Sequence, residues 1–241
     1  MTIEGKTVLI TGANRGLGQA LVDEALRRGA ERVYAASRQL IAHSDDRVTP
    51  VIMDVTDWAQ IPRTIESVES LDILINNAGL SLPDDLSSRA AFEQHFDVNV
   101  YGPLMVTQAL LPSLTESTGR IVNVVSIGAF AAVPILPAYS ASKAAAFSVT
   151  QSLRALLAGR GVKVHAVLPG PIDTDMIRDL PIPKTSPESV AQAIFDGVEN
   201  EDEEIFPDPF SEMLAESWRI GAAKELERQN AALVQADPVA A

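Results

Sequence analysis

The sequence predicts an α/β fold built on a doubly wound parallel sheet, with helices on both faces making three layers. Short runs rich in Val, Ile and Leu alternate with segments of helical periodicity along most of the 241 residues. The runs 71–75 and 121–125 are almost wholly apolar, which is typical of strands covered on both faces. Repeated strand–helix–strand units favour parallel pairing through right-handed crossovers. No linker or internal repeat divides the chain, so we predict a single domain over residues 1–241.

The individual elements follow from periodicity and from the residues that end each segment. Short apolar runs predict strands at 7–10, 32–36, 48–53, 71–75, 120–125, 162–168 and 204–206. Helical spacing predicts helices at 17–28, 59–67, 90–114, 138–157, 187–199 and 210–233. We expect the long region 90–114 to be interrupted near Asn99 and at Gly102-Pro103. Four prolines between 171 and 187 predict an irregular segment, which we expect to form a lid over the substrate.

Composition excludes several classes of protein. The chain carries 19 basic and 32 acidic side chains, a net charge of -13, so we expect neither nucleic acid nor an anionic membrane as a partner. There is no cysteine, which excludes disulfides, thiolate catalysis and thiolate metal sites. His43, His95 and His165 lack metal-ligand spacing, and we predict no metal site. No apolar run approaches a membrane span and no signal peptide is recognisable, so we expect a cytoplasmic protein.

A glycine-rich turn joins the first predicted strand to the first predicted helix. Its Gly-x-x-x-Gly-x-Gly spacing differs from the commoner Gly-x-Gly-x-x-Gly fingerprint. Glycines let backbone N–H groups approach a pyrophosphate, and the following helix offers its N-terminus to the same anion. Such a turn can be only a tight connection, but at this place it predicts a Rossmann-like domain that binds a dinucleotide. The predicted contacts in this turn are Gly12, Asn14, Arg15, Gly16, Leu17 and Gly18.

Tyr139 and Lys143 stand four residues apart in a predicted helix. That spacing puts a phenol and an ammonium on one helix face, one turn apart. A nearby cation favours the ionised phenol, so we expect Lys143 to lower the pKa of Tyr139. A Tyr and a Lys at this spacing are common and indicate little by themselves. The interpretation as a proton donor and acceptor is supported here because Asn99 lies upstream and Ser126 follows an apolar strand.

Together these motifs resemble the short-chain dehydrogenase/reductase superfamily in its compact single-domain form. The resemblance covers about residues 6–206 and includes the turn at 11–18, Asn76-Asn77-Ala78-Gly79 and Pro169-Gly170. Asn99, Ser126, Tyr139 and Lys143 match the family's catalytic tetrad in order and spacing. The implied activity is hydride transfer between a nicotinamide cofactor and a carbonyl or secondary alcohol.

The resemblance also implies a role for each catalytic side chain. Tyr139 would be the general acid in reduction and the base in oxidation, and Lys143 would hold the cofactor ribose. Ser126 would hydrogen-bond the substrate oxygen, and Asn99 would orient a water of the proton relay. Thr174 would bond the nicotinamide carboxamide. For Asn76 and Asn77 the alternative is a structural role, in which their side chains link adjacent strands. The further implied cofactor contacts are Asp54, Val55, Asn77, Ala78, Gly79, Tyr139, Lys143, Pro169, Gly170, Ile172 and Thr174.

Charge at the end of the second strand indicates which nicotinamide cofactor binds. Enzymes that use NAD usually carry an acid there, and this chain instead has Ser37 and Arg38. Arg38 can pair with a 2′-phosphate, Ser37 can add a hydrogen bond, and Arg15 offers a second guanidinium. We therefore predict NADP(H), although either arginine alone could be an ordinary surface charge. In the family a residue like Asp54 contacts the adenine; the alternative is a turn former.

The substrate is the least defined part of the prediction. Apolar residues between the serine and tyrosine motifs suggest a hydrophobic ketone or aldehyde; they are Ile127, Phe130, Val133, Ile135 and Leu136. One alternative is a 3-ketoacyl-acyl-carrier-protein reductase, against which the acidic chain argues because such carriers are themselves acidic. Another is a regulatory protein that binds NADPH without turnover. A sugar-nucleotide epimerase fits less well, because no sizeable substrate domain follows residue 206.

We also expect self-association. Relatives of this kind are dimers or tetramers that pack two long helices against symmetry mates, and helix 138–157 is rich in alanine. The alanines could equally pack within one subunit. A homodimer or homotetramer is therefore the expectation, and the C-terminal segment 210–241 has no assigned role.

Overall fold

The computed structural model describes residues 1–40 and 42–236. Residue 41 and residues 237–241, which the predicted domain includes, lie outside the described residues. Seven parallel strands form one sheet in the order β3-β2-β1-β4-β5-β6-β7. The strands are β1 Thr7–Thr11, β2 Arg32–Ser37, β3 Val48–Ile52, β4 Ile73–Asn76, β5 Arg120–Val124, β6 Lys163–Val167 and β7 Glu204–Ile205. This arrangement confirms the predicted doubly wound α/β fold.

Helices cover both faces of the sheet. They are α1 Gly16–Arg27, α2 Ile61–Ile65, α3 Arg89–Phe96, α4 Gly102–Glu116, α5 Pro137–Leu157, α6 Pro187–Glu199, α7 Pro209–Arg219 and α8 Ala222–Ala236. One buried core lies under α1 and α6, and another lies under α2 and α4 on the opposite face. Strand order reverses between β1 and β4, so the crevice at their carboxyl ends is where a ligand binds in such folds.

The helical region 90–114 is interrupted near Asn99, as predicted, but the chain does not leave the helical path there. A π-helical turn, Asp97–Tyr101, joins α3 directly to α4. π-Helical turns are rare and occur frequently at functional sites, because the extra residue redirects a side chain. Here Asn99 is the middle residue of the turn and is buried.

The prediction of one final helix over 210–233 is wrong, because α7 and α8 are separate helices. The break falls at Ile220 and Gly221, and Gly221 donates its N–H to Trp218 O at 3.1 Å. Glycine is favoured there because a Cβ on Gly221 would lie 2.6 Å from Ser217 O.

Buried ion pairs hold α8 against the sheet edge. Lys224 is almost fully buried and its Nζ lies 2.9 Å from Glu204 Oε1 and 3.0 Å from Glu227 Oε2. Arg154 of α5 contacts the same Glu204 at 2.8 Å. Removing one member would leave buried charge unpaired, so this cluster fixes the C-terminal helices on the fold. Across the described ranges, no helix is long and apolar enough to cross a membrane.

Candidate active site

The glycine turn between β1 and α1 leaves no room for side chains. Gly12 and Gly16 have φ angles of +67° and +53°, which glycine adopts without strain. A Cβ on Gly18 would lie 2.0 Å from Gly12 O, and one on Gly12 would lie 2.9 Å from Ala78 Cα. The turn is therefore a backbone cradle beside an exposed helix N-terminus, which fits the pyrophosphate of a dinucleotide.

The second motif is tied to this turn by hydrogen bonds. Asn77 Nδ2 donates to Thr11 O at 2.9 Å, and the N–H groups of Asn77 and Ala78 both donate to Thr11 Oγ1 at 3.0 Å. Asn76 Nδ2 reaches Asn123 Oδ1 at 2.9 Å on the neighbouring strand. Both asparagine side chains thus tie strands together, in agreement with the structural alternative, while the backbone of Ala78 and Gly79 lies beside the turn.

The segment after β6 crosses the glycine turn. The Thr174 methyl carbon is 3.1 Å from the position of a Cβ on Gly16, and Arg15 Nη1 pairs with Asp175 Oδ2 at 3.2 Å. The backbone of Ile172 pairs with that of Thr185, which closes residues 172–185 into a loop. Ile172 also packs against the core beneath α1. This geometry places Thr174 above the predicted pyrophosphate cradle.

At the end of β2 the two residues predicted to contact a 2′-phosphate differ in exposure. Arg38 is exposed, while Ser37 is buried and its hydroxyl donates to Gln39 O. Asp54 Oδ1 accepts from Thr56 N at 2.9 Å and from the Thr56 hydroxyl at 2.7 Å. These bonds form a turn, as in the alternative role considered for Asp54. Val55 is buried against Gly102, where a Cβ would lie 3.0 Å from it. Arg38 is therefore the side chain most available to an anion at this edge.

The four predicted catalytic residues converge at the carboxyl end of β5. The side chains of Tyr139 and Ser126 lie side by side, with Tyr139 Cε1 and Ser126 Oγ at 3.8 and 3.4 Å from the position of a Cβ on Gly128. Lys143 Nζ donates to Val124 O at 2.9 Å and lies 5.7 Å from the centroid of the Tyr139 ring. Asn99 Oδ1 and Lys143 Nζ lie 3.6 and 3.8 Å from the position of a Cβ on Gly79. Residues distant in the sequence thus surround one point next to the glycine turn.

The expectation that Lys143 lowers the pKa of Tyr139 is wrong for the chain by itself. Burial raises the pKa of the Tyr139 phenol, and the neighbouring Ser126 hydroxyl offsets only part of that rise. Burial also lowers the pKa of Lys143 to about 8. The physical reason is that the Lys143 ammonium bonds the Val124 carbonyl, so desolvation outweighs its attraction for a phenolate.

Asn99 uses both donors and one acceptor position of its side-chain amide in bonds within the protein. Its Nδ2 donates to Leu80 O and to Ser142 Oγ at 2.9 Å each, and its Oδ1 accepts from Leu80 N at 2.8 Å. The side chain therefore fixes the backbone after Gly79 against α5.

The Pro169-Gly170 turn is held by a residue that the sequence did not reveal. Asp208 Oδ2 accepts from Gly170 N at 2.7 Å, and Asp208 Oδ1 accepts from Phe210 N and Ser211 N at the start of α7. Asp208 followed by Pro209 is a helix-start pattern, which was the available signal. Nothing in it indicated the distant partner Gly170.

The predicted apolar lining after Ser126 divides into two groups. Phe130 stacks on Trp218 of α7 with 4.7 Å between ring centroids, and Ile127 packs against the same cluster; both are half-buried. Val133 and Ile135 are exposed, and Leu136 is half-buried at the start of α5. Phe130 turns inward because the C-terminal helix supplies an aromatic partner.

Comparison with known proteins agrees with this geometry. Residues 6–184 match the family model described as short chain dehydrogenase. The chain belongs to the short-chain dehydrogenase family. This confirms the resemblance stated above and makes the protein an oxidoreductase of that family.

Three individual members of the short-chain dehydrogenase family illustrate the similarity. A short chain dehydrogenase from Burkholderia cenocepacia, solved in complex with NADP, matches with a TM-score of 0.85 and 38% identity over 91% of this chain and 95% of that chain. One from Streptomyces avermitilis matches with a TM-score of 0.80 and 25% identity, covering 97% of this chain and all of that chain. The ketoacyl reductase HetN of a Nostoc strain is 32% identical over 238 residues, which are 88% of this chain and 83% of the relative.

Proposed function

We propose that this short-chain dehydrogenase transfers a hydride between NADP(H) and a carbonyl or secondary alcohol, acting as a reductase of hydrophobic ketones or aldehydes. The observation that carries the proposal is the convergence of Tyr139, Ser126 and Lys143 at the edge of a backbone cradle for a dinucleotide. The nicotinamide, when bound, supplies or accepts the hydride.

The protein's own residues then handle the proton. A phenol whose pKa is raised by burial stays protonated at neutral pH, so Tyr139 can donate its proton to an oxygen that gains negative charge. Ser126, whose hydroxyl lies beside the phenol, can donate a hydrogen bond to the same oxygen. Lys143 adds a positive charge to this buried site below about pH 8.

Preference for NADP(H) rests on charge. Arg38 is exposed at the end of β2, and the acid that would accept from a free ribose hydroxyl is absent there. Arg15 sits in the cradle itself, although it pairs with Asp175 in this structure. The Burkholderia relative, which was solved with NADP, adds support. The cofactor contacts proposed here are the predicted ones in the glycine turn, at 77–79 and between 169 and 174.

The decisive experiment is Tyr139→Phe. The ring remains and the acid is removed, so kcat for NADPH-dependent reduction of a carbonyl panel should fall by about two to four orders of magnitude. Affinity for NADPH, measured by fluorescence titration, should stay near that of the wild type. Turnover close to wild type in this variant would refute the assignment.

A second candidate substrate class has one observation in its favour. The Nostoc relative is a ketoacyl reductase by name, so reduction of 3-ketoacyl thioesters is the alternative. The net charge of -13 disfavours docking of an acidic carrier protein. Comparing kcat/KM for a free hydrophobic ketone, a 3-ketoacyl thioester of a small thiol and the same acyl group on its carrier separates the two.

We also propose that the protein acts in the cytoplasm as a homodimer or homotetramer, with the residues 171–187 closing over the site. Ala144 is exposed and Ala141 and Ala145 are half-buried on the outer side of α5, which supports close approach of a second helix. The far end of α5 is already in contact with α8 through Gln151 and Arg154. Sedimentation velocity measures the oligomeric state, and a monomer at micromolar concentration would contradict this proposal.

A further inference from the structure

Residues 80–86 form a strap between the end of β4 and the start of the catalytic helix α5. Three side-chain contacts hold it. Asn99 bonds both backbone groups of Leu80, His95 bonds the N–H of Leu82, and the carboxylate of Asp84 reaches the first turn of α5. Only the first of these belongs to the predicted catalytic set. The other two are not explained by the chemistry described so far.

His95 is fully buried and both of its ring nitrogens are engaged. Nε2 accepts from Leu82 N at 3.0 Å, and Nδ1 lies 2.7 Å from Ala91 O. A nitrogen that accepts from an N–H cannot carry a proton, and one that contacts a carbonyl oxygen must donate. The partners therefore fix a single neutral tautomer, protonated on Nδ1.

His95 and Asn99 stand four residues apart, so they project from the same side of the continuous path through α3 and the π-helical turn. Each bonds the strap two residues from the other, at Leu82 and at Leu80. The side chain that matches the family tetrad thus has a second, buried partner that grips the same backbone.

Asp84 connects the strap to the reaction site. Its Oδ2 accepts from Ala138 N at 3.1 Å, directly before Tyr139, while its Oδ1 accepts from Leu86 N within the strap. Leu136, the N-cap residue of α5, provides no side-chain cap of its own. A carboxylate at a helix N-terminus satisfies a free N–H and interacts favourably with the helix dipole. The strap therefore supplies the cap that the catalytic helix lacks.

We propose that His95 is a positioning residue for the reaction at Tyr139. It holds Leu82, the strap carries Asp84, and Asp84 fixes the first turn of α5 and with it the phenol. This inference rests on the proposed function, since the reaction is what the position of Tyr139 serves. It adds a residue outside the Asn, Ser, Tyr and Lys set and assigns a role to the segment that follows Gly79.

The test compares two variants that differ in which histidine nitrogen they replace. His95→Gln places an amide near the position of Nε2 and can still accept from Leu82 N, whereas His95→Asn reaches only the position of Nδ1. We expect kcat for carbonyl reduction to fall about tenfold in His95→Asn, because the Leu82 N–H loses its acceptor, and to recover largely in His95→Gln. KM for NADPH should change less than twofold in both. Unchanged kcat in His95→Asn, or an equal loss in both variants, would overturn the proposal.

A matched control is available elsewhere in the fold. His165 is also buried and also uses Nδ1 to contact a backbone carbonyl, that of Asp202, but it lies on β6 away from the strap. His165→Asn should leave kcat unchanged. An equal loss of kcat there would mean that any buried histidine has this effect, and the proposal would fail.

Substitutions of Asp84 test the proposal independently if His95→Asn does not fold. Asp84→Ala removes the cap and should lower kcat about as much as His95→Asn, while Asp84→Asn keeps an acceptor and should be milder. In the double variant His95→Gln with Asp84→Ala, kcat should match that of Asp84→Ala alone. Normal kcat in Asp84→Ala would overturn the proposal even without the histidine variants.

Failure of the proposed function would be recognised separately, because wild-type protein would then reduce no carbonyl in the panel. The strap can still be tested by hydrogen exchange. His95→Asn should speed exchange at the amides of Leu82, Ala138 and Tyr139 at least tenfold relative to His165→Asn. Equal exchange in the two variants would refute the positioning role whatever the reaction is.

Discussion

The glycine turn and the catalytic helix α5 lie side by side but are built in opposite ways. The turn works because side chains are absent, since a Cβ on Gly18 would lie 2.0 Å from a backbone oxygen. The region around α5 works because polar side chains are present and close together, as at Ser126, Tyr139 and Lys143. The turn is specified within its own eight residues, because its glycine positions have no space for a side chain. The other is specified by groups that only the folded chain brings together.

Among the tests of this comparison, the largest expected effect is that of a substitution in the glycine turn. Gly18→Ala forces the backbone at Gly12 to move, and overpacking of this kind costs about 1–3 kcal/mol. We expect affinity for NADPH to fall by about ten- to a hundredfold, measured by fluorescence titration. Thermal unfolding checks that the protein remains folded.

Two other glycines sharpen that test. A Cβ on Gly159 meets nothing within 4 Å, so Gly159→Ala should leave cofactor affinity unchanged. A Cβ on Gly128 would lie at ordinary contact distances, 3.4 Å from Ser126 Oγ and 3.8 Å from Tyr139 Cε1. Gly128→Ala should therefore alter kcat slightly and NADPH affinity hardly at all. Equal affinity losses in Gly18→Ala and Gly159→Ala would remove the distinction between the two regions.

The next effect concerns cofactor selectivity. Arg38→Asp replaces the exposed cation at the end of β2 with an acid that would repel a 2′-phosphate and accept from a ribose hydroxyl. The ratio of kcat/KM for NADPH to that for NADH should fall by about ten- to a hundredfold, as expected for the loss of a charged hydrogen bond. An unchanged ratio would mean that Arg38 does not contribute to selectivity and that Arg15 in the glycine turn is sufficient to select the cofactor.

The smallest effect concerns the pH dependence of the catalytic region. Burial lowers the pKa of Lys143 to about 8, so its charge is present at pH 7 and mostly lost at pH 9. If that charge assists cofactor binding, kcat/KM for NADPH at saturating carbonyl should fall about tenfold between these values. Lys143→Met should be slower at pH 7 and should lack this fall. The same decline in Lys143→Met would assign it to another group.

Local sequence was enough for most of the secondary structure and for the cradle. Apolar runs gave the seven strands within one or two residues at most ends, because a strand buried on both faces needs an unbroken apolar run. The break at Gly221 was missed because amphipathic periodicity continues on both sides of it. The contact between Phe130 and Trp218 was not predicted because Trp218 lies 88 residues further along the chain.

The sequence by itself determined the α/β fold, the glycine turn and the choice of residues proposed for catalysis, because each depends on residue type at short spacing. The tertiary structure decided how those groups are tuned and held. It directs Lys143 to the Val124 carbonyl, raises the pKa of Tyr139 by burial, and brings His95, Asp84 and Asp208 to backbone groups 13 to 54 positions away. Desolvation and long-range hydrogen bonds depend on which segments become neighbours, and that is settled only when the whole sheet has formed.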